Sequence, residues 1–455
     1  MSTQFDRRHF MALTALGLGA TALSGCGGPN TSGGGGAAKS AANTDWSKVK
    51  PAAKISFMSS HPGTSQPIEQ KLIEAFQKEN PDIKVDLITG GANYEEVAQK
   101  FQTSQAGNNV PDVVVASDVW WFRYTLSSTI VPVDDILKAV SDKTSDYNTT
   151  LFDDYKYNDA HWAVPYARST PLFYYNKDHF KKAGLPDRAP KTWDEFAQWA
   201  PKIKAANASA PGYTNVYQYP ALAGYAGWTL QNVLWGYGGG WSNQWDITCD
   251  SDPSVKALQW VQDTINKDNW AGVSSKDAVS DMTAGAVSAT VSSTGDLVGT
   301  IKAAKAKNMN IGVGFLPGGP VSASPVCPTG GSGLVIAKKT SPERQLAAAK
   351  FISFMTNASS TAQFSAATGY MPVRTTADMK DVIAKTPEIQ VALDQLKVTK
   401  SQDYARVFLP GADQEMAKSA AKFMNQKADV KATMTDLKGT LEGIYNKDVK
   451  PKLKS

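Results

Sequence analysis

Val113-Val114-Val115, entered from Asp112 and left through Ala116-Ser117, is a continuous apolar run. A strand of that kind needs cover on both faces, so it belongs at the centre of a helix-flanked sheet. The residues before it supply the flanks. Lys54-Ile55-Ser56-Phe57-Met58 alternates as a strand. Residues 67–80 place Ile68, Leu72, Ile73 and Phe76 at helical spacing until Asn80-Pro81 stops the helix. Ile83 to Ile88 alternates again, and the Gly90-Gly91 turn leads into a helix with Val97 and Phe101 on one face. This order predicts an α/β domain with a largely parallel sheet.

The pattern repeats further on. Leu172-Phe173-Tyr174-Tyr175 reads as a strand, residues 177–183 as a short helix and 192–205 as a longer one. Thr192 is the expected N-cap there, with Glu195 completing a capping box. Ser288 to Val291, Ile311 to Phe315 and Gly333 to Ile336 read as further strands, and residues 412–447 as amphipathic helix. A chain of 455 residues has room for two cores.

The N-terminus carries an address. Arg7-Arg8 precedes an apolar run, Met11 to Leu23, too short to span a bilayer and ending in small residues suited to cleavage. Leu23-Ser24-Gly25-Cys26 resembles a bacterial lipobox. Arg7-Arg8-His9-Phe10 resembles a twin-arginine export signal, without the lysine often found later in that motif. The expectation is a signal peptide over 1–25, a lipidated Cys26, and a flexible Gly/Ser/Ala-rich tether through 26–50. The body would then be extracytoplasmic and anchored to the cell membrane. A net charge of +5 with no long Lys/Arg tract argues against nucleic acid as a partner. With Cys26 lipidated, Cys249 and Cys327 remain as an even pair, and both a disulfide and two buried thiols stay open. No His/Cys spacing suits a metal, so neither metal nor cofactor is expected.

Five blocks carry a family resemblance in order: AFQKENPDIKV, STPLFYYNKDHFKKAGLPDRAPKTWDEFAQWAPKIKA, DMTAGAVSATVSSTG, GGSGLVIAKKTSPERQLAAAKFISFMT and ATGYMPVR. Together they resemble the extracellular solute-binding proteins of ABC importers, the group that includes maltose-binding proteins. The resemblance implies two α/β lobes in discontinuous pieces joined by hinge crossings, 51–168 plus 311–358 and 169–310 plus 359–455. A ligand cleft would lie between them and close on binding. It also implies a monomer that delivers its ligand to a membrane permease, energised by a separate ATPase subunit. No phosphate-binding Walker loop is present in this chain.

Within that family the chain resembles the branch that binds glycerol-3-phosphate and glycerophosphodiesters. The resemblance assigns Tyr94 in GANYEEV, Asp118 in PDVVVASDVW and Ser169 in RSTP to the ligand. Tyr225 and Trp228 stand where the branch has two aromatics three residues apart, and only Trp228 keeps the tryptophan. Ser292, Ser293, Gly330 and Gly331 match small polar contacts, and Tyr370 and Arg406 match the residues that hold the phosphate. The chemistry is coherent. A guanidinium can bind two phosphate oxygens at once, hydroxyls and glycine N–H groups add neutral donors, and Asp118 can accept from glycerol hydroxyls. Trp228 would offer a face to a quaternary ammonium group, which suits glycerophosphocholine.

Each residue taken singly has a plainer explanation. Trp228 could be core, Tyr94 turn packing and Arg406 a surface ion pair. Asp246 and Asp296 receive no role, because Asp is common at turns and caps. An oligosaccharide is the alternative ligand, given twelve Trp and sixteen Tyr for stacking. A secreted hydrolase is a further alternative, but no Gly-x-Ser-x-Gly elbow is present, and His61, His161 and His179 have no obvious nucleophile partner. Catalytic residues are therefore not expected.

Overall fold

The expected alternation is present in this computed structural model, which describes residues 44–322 and 327–453. The leader, Cys26 and the tether through residue 43 lie outside the described residues. β1 (Lys54–Ser59), α1 (Gln66–Glu79), β2 (Lys84–Thr89), α2 (Tyr94–Ser104) and β3 (Val113–Ser117) follow one another. β4 (Val164–Ser169) and β5 (Pro171–Asn176) are separated only by Thr170. Then come α3 (Trp193–Asn207), β6 (Asn215–Tyr219), α4 (Ala226–Gly236), α5 (Asp252–Asn266), β7 (Ala271–Val273), β8 (Val287–Ser293), α6 (Leu297–Ala306) and β9 (Ile311–Gly314). The last part holds β10 (Cys327–Pro328), β11 (Gly330–Ile336), α7 (Pro342–Met355), α8 (Ala358–Thr368), β12 (Thr399–Lys400), α9 (Ala412–Asn425) and α10 (Val430–Ile444).

Two five-stranded sheets result, ordered β2-β1-β3-β11-β4 and β7-β6-β8-β5-β9. β3 is central in the first and every one of its residues is buried, as its apolar run requires. The expectation of largely parallel sheets holds for part of each. β1 runs parallel to β2 and β3, and β6 parallel to β7 and β8. β11 is antiparallel to β3 and β4, and β5 to β8 and β9. These antiparallel strands belong to the stretches where the chain passes from one sheet to the other, so no crossover helix sets their direction.

Each sheet has its own aromatic core. Phe351 on α7 packs against Phe57 and Phe76 under the first sheet, at 5.4 and 5.3 Å between ring centroids. Under the second, Phe196 packs 5.2 Å from Phe173 and 5.5 Å from Trp270, and Trp193 packs 5.7 Å from Trp260. α3 begins as the sequence predicts, with the Thr192 hydroxyl accepting from the Glu195 N–H at 3.0 Å. The return half of the capping box is displaced by one residue. Glu195 accepts from the Lys191 N–H at 2.6 Å and pairs with Arg188.

The lobe boundaries differ from the expectation at two places. Ile311–Gly314 pairs with β5 and so belongs to the second sheet; the chain returns to the first between Gly314 and Gly330. α8 and the strand-like residues after it stay with the first lobe, because α8 packs on α1, Phe364 meets Tyr166 at 4.7 Å and Met371 bridges to Arg168. Gln395, fully buried, ties the crossings together. Its amide donates to Thr170 Oγ1 at 3.0 Å and accepts from the Leu316 N–H at 2.8 Å.

Cys249 and Cys327 are both buried and free, so the disulfide is not formed. Cys249 lies under α10, with its Sγ 3.6 Å from the Met434 carbonyl, while Cys327 is held in β10 against Thr399 of β12. Burial pushes the Cys249 thiol up to about 12.

Candidate ligand-binding site

Open α/β sheets bind ligands beyond the carboxyl ends of their strands, and Asp118 stands one residue past the end of β3. Its backbone N–H donates to the Gly331 carbonyl at 3.0 Å, which fixes it against β11. Its Oδ2 accepts from Arg406 Nη1 at 3.3 Å and from the Gln402 amide. Arg406 is buried, not a surface ion pair, and its Nε donates to Asp413 Oδ1 at 2.8 Å. Burial works against the charged guanidinium, yet Asp413 and Asp118 outweigh it and raise the pKa. Among the described residues, Arg406 Nη2 and Asp118 Oδ1 make no hydrogen bond. A donor edge and an acceptor are thus left unused beside each other.

Small residues make this approach possible. At Gly331 φ is +96°, and a side chain there would run into the Ala167 carbonyl oxygen. A methyl group at Gly330 would lie 2.5 Å from the Trp228 ring. Trp228 is therefore packed, 6% exposed, with its Nε1–H donated to the Thr329 carbonyl at 2.9 Å. Ser169 closes β4 directly opposite Gly330 and is buried.

A second group faces it. Asn93 caps α2 by accepting from the Glu96 N–H at 3.0 Å, which sets Tyr94 on the first turn. The Tyr94 hydroxyl donates to Ser332 Oγ at 3.3 Å. Burial pushes the Tyr94 phenol up, and that of its hydrogen-bonded neighbour Tyr370 higher still. Tyr370 stacks on Phe364 at 5.9 Å and lies so close to Gly295 that a methyl there would sit 2.5 Å from its ring. Ser292 donates to Asp296 Oδ2 at 2.5 Å. Ser293 does local work, accepting from the Gly295 N–H at 3.0 Å while its carbonyl takes the Tyr174 hydroxyl.

A cavity of about 350 Å³ opens here, walled by Gly63 and Thr64 from the first lobe and by Tyr225, Ser292, Gly295 and Asp296 from the second. Burial raises the Asp296 carboxyl above its ordinary range, and the Ser292 and Tyr225 hydroxyls only partly offset this. Asp296 also pushes the Tyr225 phenol up. Asp296 received no role from the sequence because an acid just ahead of a helix is ordinary; only the cavity wall distinguishes it. The other assigned residues, Asp118, Trp228, Tyr370 and Arg406, lie outside this cavity's lining.

The histidines are better partnered than expected. His61 Nδ1 meets Glu69 Oε2 at 2.5 Å and Nε2 meets Thr89 Oγ1 at 2.8 Å. His179 meets the Ser288 hydroxyl at 3.0 Å. Neither histidine lines the cavity, and His61 anchors the loop that carries Gly63 and Thr64 to it. Among the described residues no His/Cys/Asp/Glu group could hold a metal ion, and no helix is long and apolar enough to cross a membrane.

The family model described as bacterial extracellular solute-binding protein matches residues 71–391. The sn-glycerol-3-phosphate-binding periplasmic protein UgpB of Salmonella typhimurium is 28% identical over 321 residues, covering 67% of this chain and 71% of that one. The protein of the same name from Escherichia coli K12 is 27% identical over 311 residues, covering 66% and 70%. The crystal structure of UgpB from Mycobacterium tuberculosis in complex with glycerophosphocholine superposes with a TM-score of 0.83 at 40% identity, covering 88% of this chain and 100% of that one. Maltose-bound T. maritima MalE3, at 22% identity and a TM-score of 0.74 over 86% of this chain and 100% of that one, shares the fold.

Proposed function

Since the chain belongs to the bacterial extracellular solute-binding proteins, we propose that it captures glycerol-3-phosphate or a glycerophosphodiester, such as glycerophosphocholine, between its lobes. It then hands the ligand to the permease of an ABC importer. The observation that carries this reading is the unused donor edge of Arg406 beside the unused acceptor of Asp118. A glycerol phosphate offers the complementary pair, an anionic phosphate oxygen and a hydroxyl donor. Arg406 takes the phosphate with help from the Tyr370 hydroxyl, and Asp118 accepts from the glycerol. The N–H groups of Gly330 and Gly331 and the hydroxyls of Ser169, Ser292 and Ser293 supply neutral contacts. Tyr94, Tyr225 and Trp228 are the walls.

Two relatives support the ligand class, the Salmonella protein by its name and the Mycobacterium protein by its bound glycerophosphocholine. Residues from both lobes meet at the site, so a ligand that touches both favours the closed arrangement by differential contact. The protein acts outside the cytoplasm as a monomer. A lipid on Cys26 would keep it near its importer, where tethering raises its effective concentration.

Nothing in the geometry favours an oligosaccharide. Trp193, Trp260 and Trp270 are core, and Trp228 has its ring edge against Gly330. For the hydrolase alternative, neither histidine–hydroxyl pair named above, His61–Thr89 or His179–Ser288, lines the cavity.

A thermal-shift panel tests the proposal, because a tight ligand raises apparent stability by mass action. Glycerol-3-phosphate or a glycerophosphodiester should raise Tm and be recovered unchanged by mass spectrometry. A panel in which only oligosaccharides shift Tm overturns the ligand class. Conversion of the diester to glycerol phosphate overturns the binding-only role.

A further inference from the structure

We propose that Asp296 and Tyr225 form a head-group subsite that selects phosphodiesters carrying a cationic amine, either an ammonium or a quaternary ammonium. This rests on the phosphorylated-glycerol reading above and narrows it. Five other carboxylates of low side-chain exposure are given an arginine, whereas Asp146 rests on the Thr375 and Thr376 hydroxyls and Glu69 on His61, neither of them in the cavity wall. Asp118 and Asp413 share Arg406, Asp154 has Arg168, Asp142 has Arg374 and Asp112 has Arg344. Among the described residues no lysine or arginine pairs with Asp296. Its contacts are neutral, from Ser292 and Tyr225. It also lines a cavity that both lobes wall, with a volume in the range of small-ligand sites.

A carboxylate held out of water without a counter-ion is costly until a cation arrives. The same wall offers Tyr225, whose ring can face a cation. Lys276 and Asp277 also line this cavity and are exposed; the Asp277 charge pushes the Asp296 carboxyl further up and so adds to the negative potential of this wall. This moves the cation site away from Trp228, whose ring is packed against Gly330 and whose N–H is already donated. An anionic head group is repelled by Asp296 and a neutral one can only donate a hydroxyl hydrogen bond to it, whereas choline or ethanolamine supplies its missing counter-charge.

The test is a pair of ligands that differ in charge alone: glycerophosphocholine, and the diester in which 3,3-dimethylbutanol replaces choline. By titration calorimetry the parent should prefer the choline compound by about tenfold, which is one charge-assisted contact. In Asp296→Asn the preference should fall to within about twofold, and Tyr225→Leu should reduce it in part. Equal binding of the two compounds by the parent overturns the inference while leaving the transport reading intact, and needs no variant to fold. An unchanged preference in Asp296→Asn overturns it as well. A parent that binds neither compound nor glycerol-3-phosphate overturns both readings.

Discussion

Arg406, buried, and Asp296, half-buried in a cavity wall, are two charged groups in one protein with opposite treatment. Around Arg406 every charge has an answer, since Asp118 and Asp413 bracket the guanidinium and Gln402 accepts from Arg406 while donating to Asp118. Around Asp296 there are hydroxyls and no cation. The first is therefore a structural centre with one donor edge left over, the edge proposed above for the phosphate. The second is unfavourable until something binds. Under the proposed site, the difference teaches that a preformed part and a part kept without its counter-ion can share one cleft, and only the second discriminates by charge.

The largest effect should follow Arg406→Ala. It strands two buried carboxylates, a change that costs about 3–5 kcal/mol, and it should remove phosphate binding as well. Urea denaturation and calorimetry read the two losses. If stability is unchanged, Asp118 and Asp413 do not depend on Arg406 and the contrast fails.

Asp118→Asn should destabilise by less, about 1.5 kcal/mol, because Arg406 keeps Asp413 and loses one charged hydrogen-bond acceptor. Asp296→Asn should do the reverse and stabilise the ligand-free protein, raising Tm by about 2 °C at pH 7. The sign follows from the direction of its shift. The folded carboxyl titrates above its unfolded value of 3.8, so its favourable contribution is complete below that value and is lost as pH rises through the folded one. The gain in Asp296→Asn should therefore vanish near pH 4 and grow toward neutrality. Thermal melts of parent and variant at both pH values check it; a gain that is constant with pH would mean packing, not charge.

Much of the fold was legible because it rests on local pattern. The buried run at Val113–Val115 became the central strand, and Thr192 became the cap of its helix. The ends of the lobes were less legible. Ile311–Gly314 has the same strand pattern whichever sheet it joins, and only its pairing with β5 assigns it. The site divided in the same way. The family resemblance assigns Arg406, Asp118 and Gly331 to the ligand, and the structure places the three in contact with one another through Asp118. The packing of Trp228 against Gly330 is not legible in the sequence, because the two are about a hundred residues apart and meet only through the pairing of the lobes.

Sequence alone determined the alternation of strands and helices, the room for two cores, and the small residues that let β11 pass close to its neighbours. Those follow from periodicity, volume and backbone freedom, which are properties of short stretches. Only the tertiary structure decided which charges are satisfied. Asp118 and Asp413 are nearly 300 residues apart in sequence and share one guanidinium, while Asp296 has none. Burial and pairing depend on what the rest of the chain brings within a few ångströms, and no local pattern carries that information.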